Sequence, residues 1–190
     1  MYAENAKRLT LEKSFSDYGE YLDSLEMVAE IDDFAPVYLD RIAQLTNKSN
    51  QFNLTTKRYT RAEIETVSES DDYIDLYGRL TDKFGDNGVV SVTIGHKIED
   101  VLHIDLFIMS CRVLKRDMEF AMMDSLVSKA LEKGIKEIKG YYYPTAKNSM
   151  VKSFYETMGF TLVSVDENGN SEWTLNIEKG YNKKCAHIKF

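Results

Sequence analysis

Cysteine, histidine and proline are scarce in this chain, and their scarcity excludes several classes of protein. The 190 residues include two cysteines, three histidines and two prolines. Cys111 and Cys185 form neither a CxxC pair nor a metal-ligand spacing with a histidine. We therefore expect free thiols, no metal site and a reducing, cytoplasmic environment.

Long apolar runs and excess positive charge are also missing. The longest apolar runs, such as Leu106–Met109, are far shorter than the ~18 residues of a membrane span. The net charge is −7, whereas a general nucleic-acid binder is more often basic. We expect neither a membrane nor a nucleic-acid partner. Local basic clusters at Arg112–Arg116 and Lys147–Lys152 are still compatible with an acidic ligand.

Enough apolar material is present for a sizeable core, because hydrophobic residues make up 43% of the chain. We expect residues 1–33 to be a connector or extension with a short helix, and residues 34–190 to be one domain.

Within that domain, periodicity and caps predict helices near 34–48, 60–68, 118–133 and 148–158, and strands near 52–58, 73–81, 89–94, 102–110, 135–143, 160–165 and 172–177. A meander joined to βαβ elements predicts an α/β fold with one mixed sheet and helices on its faces. The segment Phe84-Gly85-Asp86-Asn87-Gly88 is predicted to make a hairpin turn, because Asn-Gly tolerates the positive φ that such turns need.

The first candidate site is the junction between the strand ending at Ser110 and the helix starting at Met118. A strand that leads into a helix N-terminus creates an anion site, because the first helical N–H groups lack partners. Arg112, Lys115 and Arg116 lie in that turn. A solvated basic loop would have the same composition.

The second candidate site runs from Tyr143 to Phe160. Asn148 is followed by Phe154-Tyr155 and then by Gly159-Phe160. A purely structural interpretation makes Phe154 a core residue and Tyr155 its aromatic partner.

Together the two places resemble GNAT acyltransferase domains. In that family an Asn contacts the cofactor arm, a Tyr often protonates the leaving thiolate, and an Arg/Gln-x-x-Gly-x-Gly/Ala turn holds the coenzyme A pyrophosphate. The resemblance implies a GNAT fold with Tyr155 as general acid and a backbone N–H near Met109–Cys111 as oxyanion donor. The implied contacts to an acyl-CoA or phosphopantetheine thioester are Met109, Ser110, Arg112, Val113, Leu114, Lys115, Arg116, Asp117, Met118, Asn148 and Phe154.

A closer resemblance is to the C-terminal half of FkbH-like proteins. The stretches that carry it are residues 41–60, 84–88, 109–114 and 143–148. It implies a preceding haloacid-dehalogenase-like domain in a longer chain and an acyl carrier protein as partner. The family is associated with loading a glyceryl unit, from a phosphoglycerate-type donor, onto the phosphopantetheine thiol of such a carrier.

Two residues of the turn depart from the family pattern. Lys115 and Asp117 stand where glycines are expected, and glycine lets the backbone approach a phosphate closely. We expect weak coenzyme A binding, with Asp117 as an N-cap that competes for the helical N–H groups of Glu119 or Phe120. Cys111 is a further catalytic candidate, as an acyl acceptor, although a buried structural role is the commoner one.

Two functions of different classes follow. The leading hypothesis is an acyltransferase that handles a phosphopantetheine thioester, and the intact pair Asn148 and Tyr155 favours it. The alternative is a non-catalytic GNAT-like module that docks an acyl carrier protein for its partner domain, and the replaced glycines favour that. A standalone small-molecule N-acetyltransferase has less support.

Overall fold

The computed structural model describes residues 2–190. The α-helices are α1 (Tyr2–Glu12), α2 (Tyr18–Ser24), α3 (Leu39–Lys48), α4 (Arg61–Glu69), α5 (Met118–Glu132) and α6 (Phe154–Thr157). The strands are β1 (Met27–Asp32), β2 (Tyr73–Asp82), β3 (Gly85–Ile98), β4 (Val101–Met109), β5 (Glu137–Tyr142), β6 (Thr161–Val165), β7 (Ser171–Asn176) and β8 (Ile188–Lys189). Short 3-10 turns cover Pro36–Tyr38, Cys111–Val113 and Ser149–Val151.

All eight strands form one mixed sheet in the order β6-β7-β5-β4-β3-β2-β1-β8. The β2–β3–β4 meander is antiparallel, whereas β4 and β5 are parallel and joined through α5. The predicted α/β mixed sheet is therefore confirmed. The helical start predicted at Thr60 is also present, because Thr60 and Glu63 form a reciprocal capping box.

Each face of the sheet has its own apolar core. Helices α3 and α4 cover one face through residues such as Ile42, Leu45 and Ile64. Helix α5 covers the other face through Met118, Met122 and Leu126 among others. Burial on both faces explains why β4 is apolar on both sides in the sequence.

The first 33 residues do more than connect. Residues Met27–Asp32 form β1, which pairs antiparallel with β2 and parallel with β8. Leu25, Met27 and Ala29 are buried in the α5-side core. The structure thus places a sheet strand where the sequence predicted a connector, because β1 is too short for its alternation to stand out. Helix α1 packs Leu11 against this core and leaves Tyr2 93% exposed.

The hairpin between β2 and β3 turns earlier than predicted. Strand β3 begins at Gly85, so Lys83 and Phe84 make the turn and only Phe84 of the predicted segment lies in it. Gly88 lies inside β3 with a φ of 69°, beside irregularities in the β2–β3 register. The Asn-Gly signal therefore marks a bulge, which needs positive φ as much as a turn does.

Candidate functional site

The turn between β4 and α5 has left-handed backbone, the conformation that glycine adopts most easily. Lys115 has a φ of 62° and Asp117 a φ of 68°, both left-handed. These are the two positions where the family resemblance places glycine. Left-handed backbone costs a residue with a Cβ roughly 1–2 kcal/mol, so the fold holds this turn against the preference of its own side chains.

The N-cap role predicted for Asp117 is wrong. Its side chain makes no capping hydrogen bond, and its backbone is left-handed, whereas a side-chain N-cap typically has extended backbone. The N–H groups of Phe120 and Ala121 instead donate to the main-chain oxygen of Asp117. Asp117 Oδ2 lies 3.8 Å from His187 Nε2. The first turn of α5 is therefore not capped by its own aspartate.

Arg116 does not face a ligand. It is 5% exposed and donates to Asp82 Oδ2 (3.0 Å) and to Arg112 O (2.9 Å). Arg8 donates to both oxygens of the same aspartate, at 2.7 and 2.9 Å. Burial opposes ionisation of Asp82, but the hydrogen bonds from Arg8 and Phe84 and the charges of Arg8 and Arg116 outweigh it and lower its pKa. We call Arg8, Asp82 and Arg116 the buried triad.

The remaining predicted residues of the turn divide between core and surface. The side chains of Val113 and Met118 are fully buried, and Leu114 packs against the same core. Lys115 is exposed. Only the main-chain groups of the buried residues remain as possible ligand contacts.

Segments from both ends of the chain cover one side of the turn. The hydroxyl of Tyr18, the first residue of α2, donates to Lys115 O. His187, next to β8, lies between Asp23 Oδ1 (2.7 Å from its Nδ1) and Asp117. Asp124 of α5 fixes the C-terminal segment by accepting from Tyr181 Oη and from the N–H of Cys185. No helical or strand signal in the sequence linked these segments to the turn.

Strands β4 and β5 separate after a short contact, and the separation opens a seam in the sheet. They pair only over Val101–His103 and Glu137–Lys139. Residues Phe52–Thr55, the seam segment, lie in the opening. Leu54 N donates to Phe107 O (3.3 Å), Met109 N to Phe52 O (3.1 Å) and Tyr143 N to Leu54 O (2.9 Å). The strand predicted for 52–58 is thus reduced to one isolated bridge, Asn53 with Ile108.

Asn148 holds the seam segment in place. It is fully buried, and its Nδ2 donates to Asn53 O (2.9 Å) and Tyr143 O (3.0 Å). Its Oδ1 accepts from Thr145 N (2.7 Å). The side-chain amide of Asn148, predicted to contact a cofactor arm, therefore binds the protein's own main chain. The sequence could not show this, because Asn148 and Asn53 meet only in the folded state.

Tyr155 does not reach a cleft. It is 1% exposed in the α5-side core and packs on Phe154, Phe160 and Trp173. A Cβ on Gly140 would fall 2.3 Å from its ring, so glycine there is what admits the tyrosine. Burial raises the pKa of Tyr155. In this arrangement it cannot act as the predicted general acid, and Phe154 is likewise an aromatic core residue beside Phe107.

A cleft of about 1130 Å³ lies beyond the seam, between the end of α3 and the end of β4. Four cationic residues and no acidic residue line it. The lining residues are Arg41, Gln44, Leu45, Lys48, Ser49, Asn50, Gln51, Phe52, Met109, Ser110, Cys111, Arg112, Ala146 and Lys147. The cleft thus contains four of the predicted site residues, Met109, Ser110, Cys111 and Arg112.

Cys111 is exposed and its thiol is free. It lies at the start of the turn and lines the cleft. Neighbouring main-chain donors are engaged, because Met109 N donates to Phe52 O and Ser110 N to Val90 O (2.7 Å). Those two N–H groups are therefore not available as the predicted oxyanion donors.

One polar pair was missed by the sequence analysis. His103 Nδ1 lies 2.7 Å from Tyr141 Oη, on neighbouring strands. Burial is the largest influence on both groups: it lowers the pKa of His103 and raises the pKa of Tyr141 to about 12. Their sequence separation of 38 residues hides the contact, and only the β4–β5 register brings them together.

Over residues 2–190, no cluster of His, Cys, Asp and Glu could hold a metal ion. Within the same residues no helix is long and apolar enough to span a bilayer. No protein-family model and no curated protein matches the chain.

Solved structures identify the fold. The ribosomal-protein-S18-alanine N-acetyltransferase of Escherichia coli matches with a TM-score of 0.59 and 12% identity, over 79% of this chain and 94% of that one. The PaiA N-acetyltransferase of Thermoplasma acidophilum, in complex with coenzyme A, matches with 0.58 and 15%, over 78% and 98%. The GNAT domain of S. lividans PAT matches with 0.61 and 15%, over 78% and 90%. The chain therefore has the fold of the GNAT N-acetyltransferases.

Proposed function

We propose that the chain is an acyltransferase domain that binds a phosphopantetheine thioester where β4 meets α5. The observation that carries the proposal is the left-handed backbone at Lys115 and Asp117. It keeps the shape of a phosphate-binding turn at an uncapped helix N-terminus. Similar structures include complexes with coenzyme A and with acetyl-CoA, which supports the same class of ligand here.

The chain's own residues would then have the following roles. Main-chain N–H groups of the turn and the exposed Lys115 hold the phosphates, and the bound thioester supplies an activated acyl group. Cys111 is the exposed thiol in the adjacent cleft. Attack of its sulfur on the thioester carbonyl would form an acyl-cysteine and release the pantetheine thiol.

Mass spectrometry of the intact protein after incubation with acetyl-CoA tests this role. We expect a mass increase of one acetyl group that Cys111→Ser abolishes and Cys185→Ser retains. Calorimetry with coenzyme A tests the binding step separately. If neither coenzyme A nor a phosphopantetheinylated carrier protein binds, and no thioester is cleaved, the proposed function is wrong.

A second candidate, a non-catalytic module that docks an acyl carrier protein, is favoured by the seam. Asn148 is engaged by Asn53, and Tyr155 is buried, so two groups implied for catalysis are committed to structure. The two candidates differ in one result. A docking module would bind the phosphopantetheinylated carrier protein without cleaving its thioester.

The FkbH-like assignment belongs to this proposal as well. It makes the transferred unit a glyceryl or related acyl group, and a haloacid-dehalogenase-like domain the partner in a longer chain. The exposed Tyr2 and Leu9 of α1 would contact that domain. The free thiols support the cytoplasmic setting that this system requires.

A further inference from the structure

We propose that the cleft between α3 and β4 binds a phosphate monoester dianion. The proposal deepens the function proposed above and rests on it only in assigning the ligand to the reaction. Binding itself is a property of the cleft and can be measured without any turnover.

Charge distribution is the first argument. The chain carries a net charge of −7, yet Arg41, Lys48, Arg112 and Lys147 line one cleft that has no acidic lining residue. Cations gathered in a concave site raise the local concentration of anions. The chain has 31 aspartates and glutamates that could neutralise these four cations, yet none of them lines this cleft.

The partners of the arginines are the second argument. Arg8, Arg61, Arg79 and Arg116 form salt bridges with carboxylates, and Arg58 donates to Thr46 O, Ser49 O and Asn50 Oδ1. Among residues 2–190, Arg41 forms no salt bridge with a carboxylate. Its Nη1 donates to Gln44 Oε1 (2.8 Å) and its Nη2 to Val89 O (3.4 Å).

Arg41 is the central cation of the cleft. It lies in the first turn of α3 and is near enough to Arg112 for the two charges to repel. Burial first, and then the charge of Arg112, lower the pKa of Arg41. Two guanidinium groups held together in a partly desolvated site favour a ligand with two negative charges and several acceptor oxygens.

Polar neighbours complete the site. Gln44, Asn50 and Gln51 supply neutral donors in the same lining, and Phe52 supplies an apolar wall. Such a mixture suits a small organic phosphate better than a bare ion. Cys111 lies in the same lining, so the ligand would be held beside the exposed thiol.

The phosphate monoester belongs to a small acyl acceptor or donor, because the phosphate of a phosphopantetheine arm on a carrier protein is a diester with one negative charge. NMR titrations of the full chain test this with inorganic phosphate, phenyl phosphate, free phosphopantetheine (itself a monoester) and pantetheine. We expect the three phosphates to bind and to shift amide signals of residues 109–112, and pantetheine to cause no such shifts. Binding of phosphopantetheine without binding of phenyl phosphate would show that the pantetheine part is required, and would contradict the inference.

Charge-neutral variants locate the site. Arg41→Gln should weaken phenyl phosphate binding by about 10-fold, the loss of one charge-assisted contact. The double variant Lys48→Gln/Lys147→Gln should weaken phenyl phosphate binding by a similar factor. This second variant keeps the test valid if the Arg41 variant fails to fold. Arg61→Gln and Lys136→Gln are matched controls on other surfaces and should bind as the native chain does.

The outcomes separate this inference from the proposed function. If no phosphate binds in the millimolar range, or if the Arg41 variant and the double lysine variant bind as well as the controls, the inference is wrong even where acetyl-CoA is turned over. If phosphate binds as expected while coenzyme A neither binds nor reacts, the inference stands and the proposed function fails.

Discussion

Two pairs of arginines lie near the ends of the same turn, and they differ in what surrounds them. Arg8 and Arg116 share Asp82 in the buried triad. Arg41 and Arg112 face a cleft without acidic lining residues. The first pair joins α1 to the sheet and the turn, whereas the second lines the cleft. Arg112 and Arg116 lie in the same turn, yet Arg116 is buried against Asp82 and Arg112 lines the cleft.

The largest effect should come from breaking the buried triad. Asp82→Asn leaves two buried guanidinium groups without their carboxylate, and we expect the free energy of unfolding to fall by about 3–5 kcal/mol. Urea denaturation at neutral pH measures this change. Arg41→Gln is the matched variant of the cleft pair and should cost less than about 1 kcal/mol. Equal losses in the two variants would remove the distinction between the pairs.

The same triad predicts a dependence of stability on pH. The pKa of Asp82 in the folded chain lies below its ordinary value, which is about 3.9 in an unfolded chain. Its contribution is therefore present above about pH 4 and is lost as the pH falls through the lower folded pKa. Urea midpoints of the native chain and Asp82→Asn should converge in acid. A constant difference across that range would contradict the assignment.

The next test concerns the seam. It shows whether Asn148, predicted as a cofactor contact, has a structural role instead. Asn148→Ala leaves the carbonyls of Asn53 and Tyr143 without their donor, which should cost about 1–3 kcal/mol. The amide of Leu54 should also exchange its hydrogen faster in this variant. Asn168→Ala, at an exposed turn, is the control and should change stability by less than about 0.5 kcal/mol.

The carboxylate at the turn should affect ligand binding more than stability. Asp117 lies at the N-terminus of α5 without capping it, so it adds negative charge where phosphates would bind. Asp117→Gly should tighten coenzyme A binding by about 10-fold, which calorimetry can measure. Asp71→Asn removes an exposed carboxylate outside the turn and should leave binding nearly unchanged. An unchanged affinity in the glycine variant would show that the turn does not hold the phosphates.

The smallest effect concerns the strain in the turn. Lys115→Gly relieves a left-handed residue and should raise the free energy of unfolding by about 1 kcal/mol. Lys152→Gly replaces an exposed residue with right-handed backbone, where glycine should instead cost about 0.5–1 kcal/mol. Thermal or urea unfolding of both variants checks the opposite signs. The same sign for both would show that the turn is not strained.

Local sequence predicted much of the architecture because its signals act over a few residues. The capping box at Thr60 marked the start of α4, and alternating apolar residues marked β2 and β4. The positions expected to need glycine-like backbone, 115 and 117, are the two left-handed residues of the turn. Strand β1 was missed because the exposed Val28 stands between the buried Met27 and Ala29, so the alternation of the folded strand does not show in the sequence.

The assignment of individual side chains was decided by contacts between distant segments. Asn148 binds Asn53 across 95 residues, and His187 lies beside Asp23 across 164. Arg116 meets Asp82, and through it Arg8, only when α1 packs on the turn. A residue's neighbours in sequence hold no information about such partners.

By itself, then, the sequence determined the mixed sheet and its helices, since these depend on local propensity and on the periodicity of burial. Tertiary structure alone decided which charges are neutralised, which amides are engaged and which thiol is exposed. The physical reason is that desolvation and pairing depend on the atoms that surround a group in space. Arg41 and Arg116 therefore became distinguishable only once the chain had folded around them.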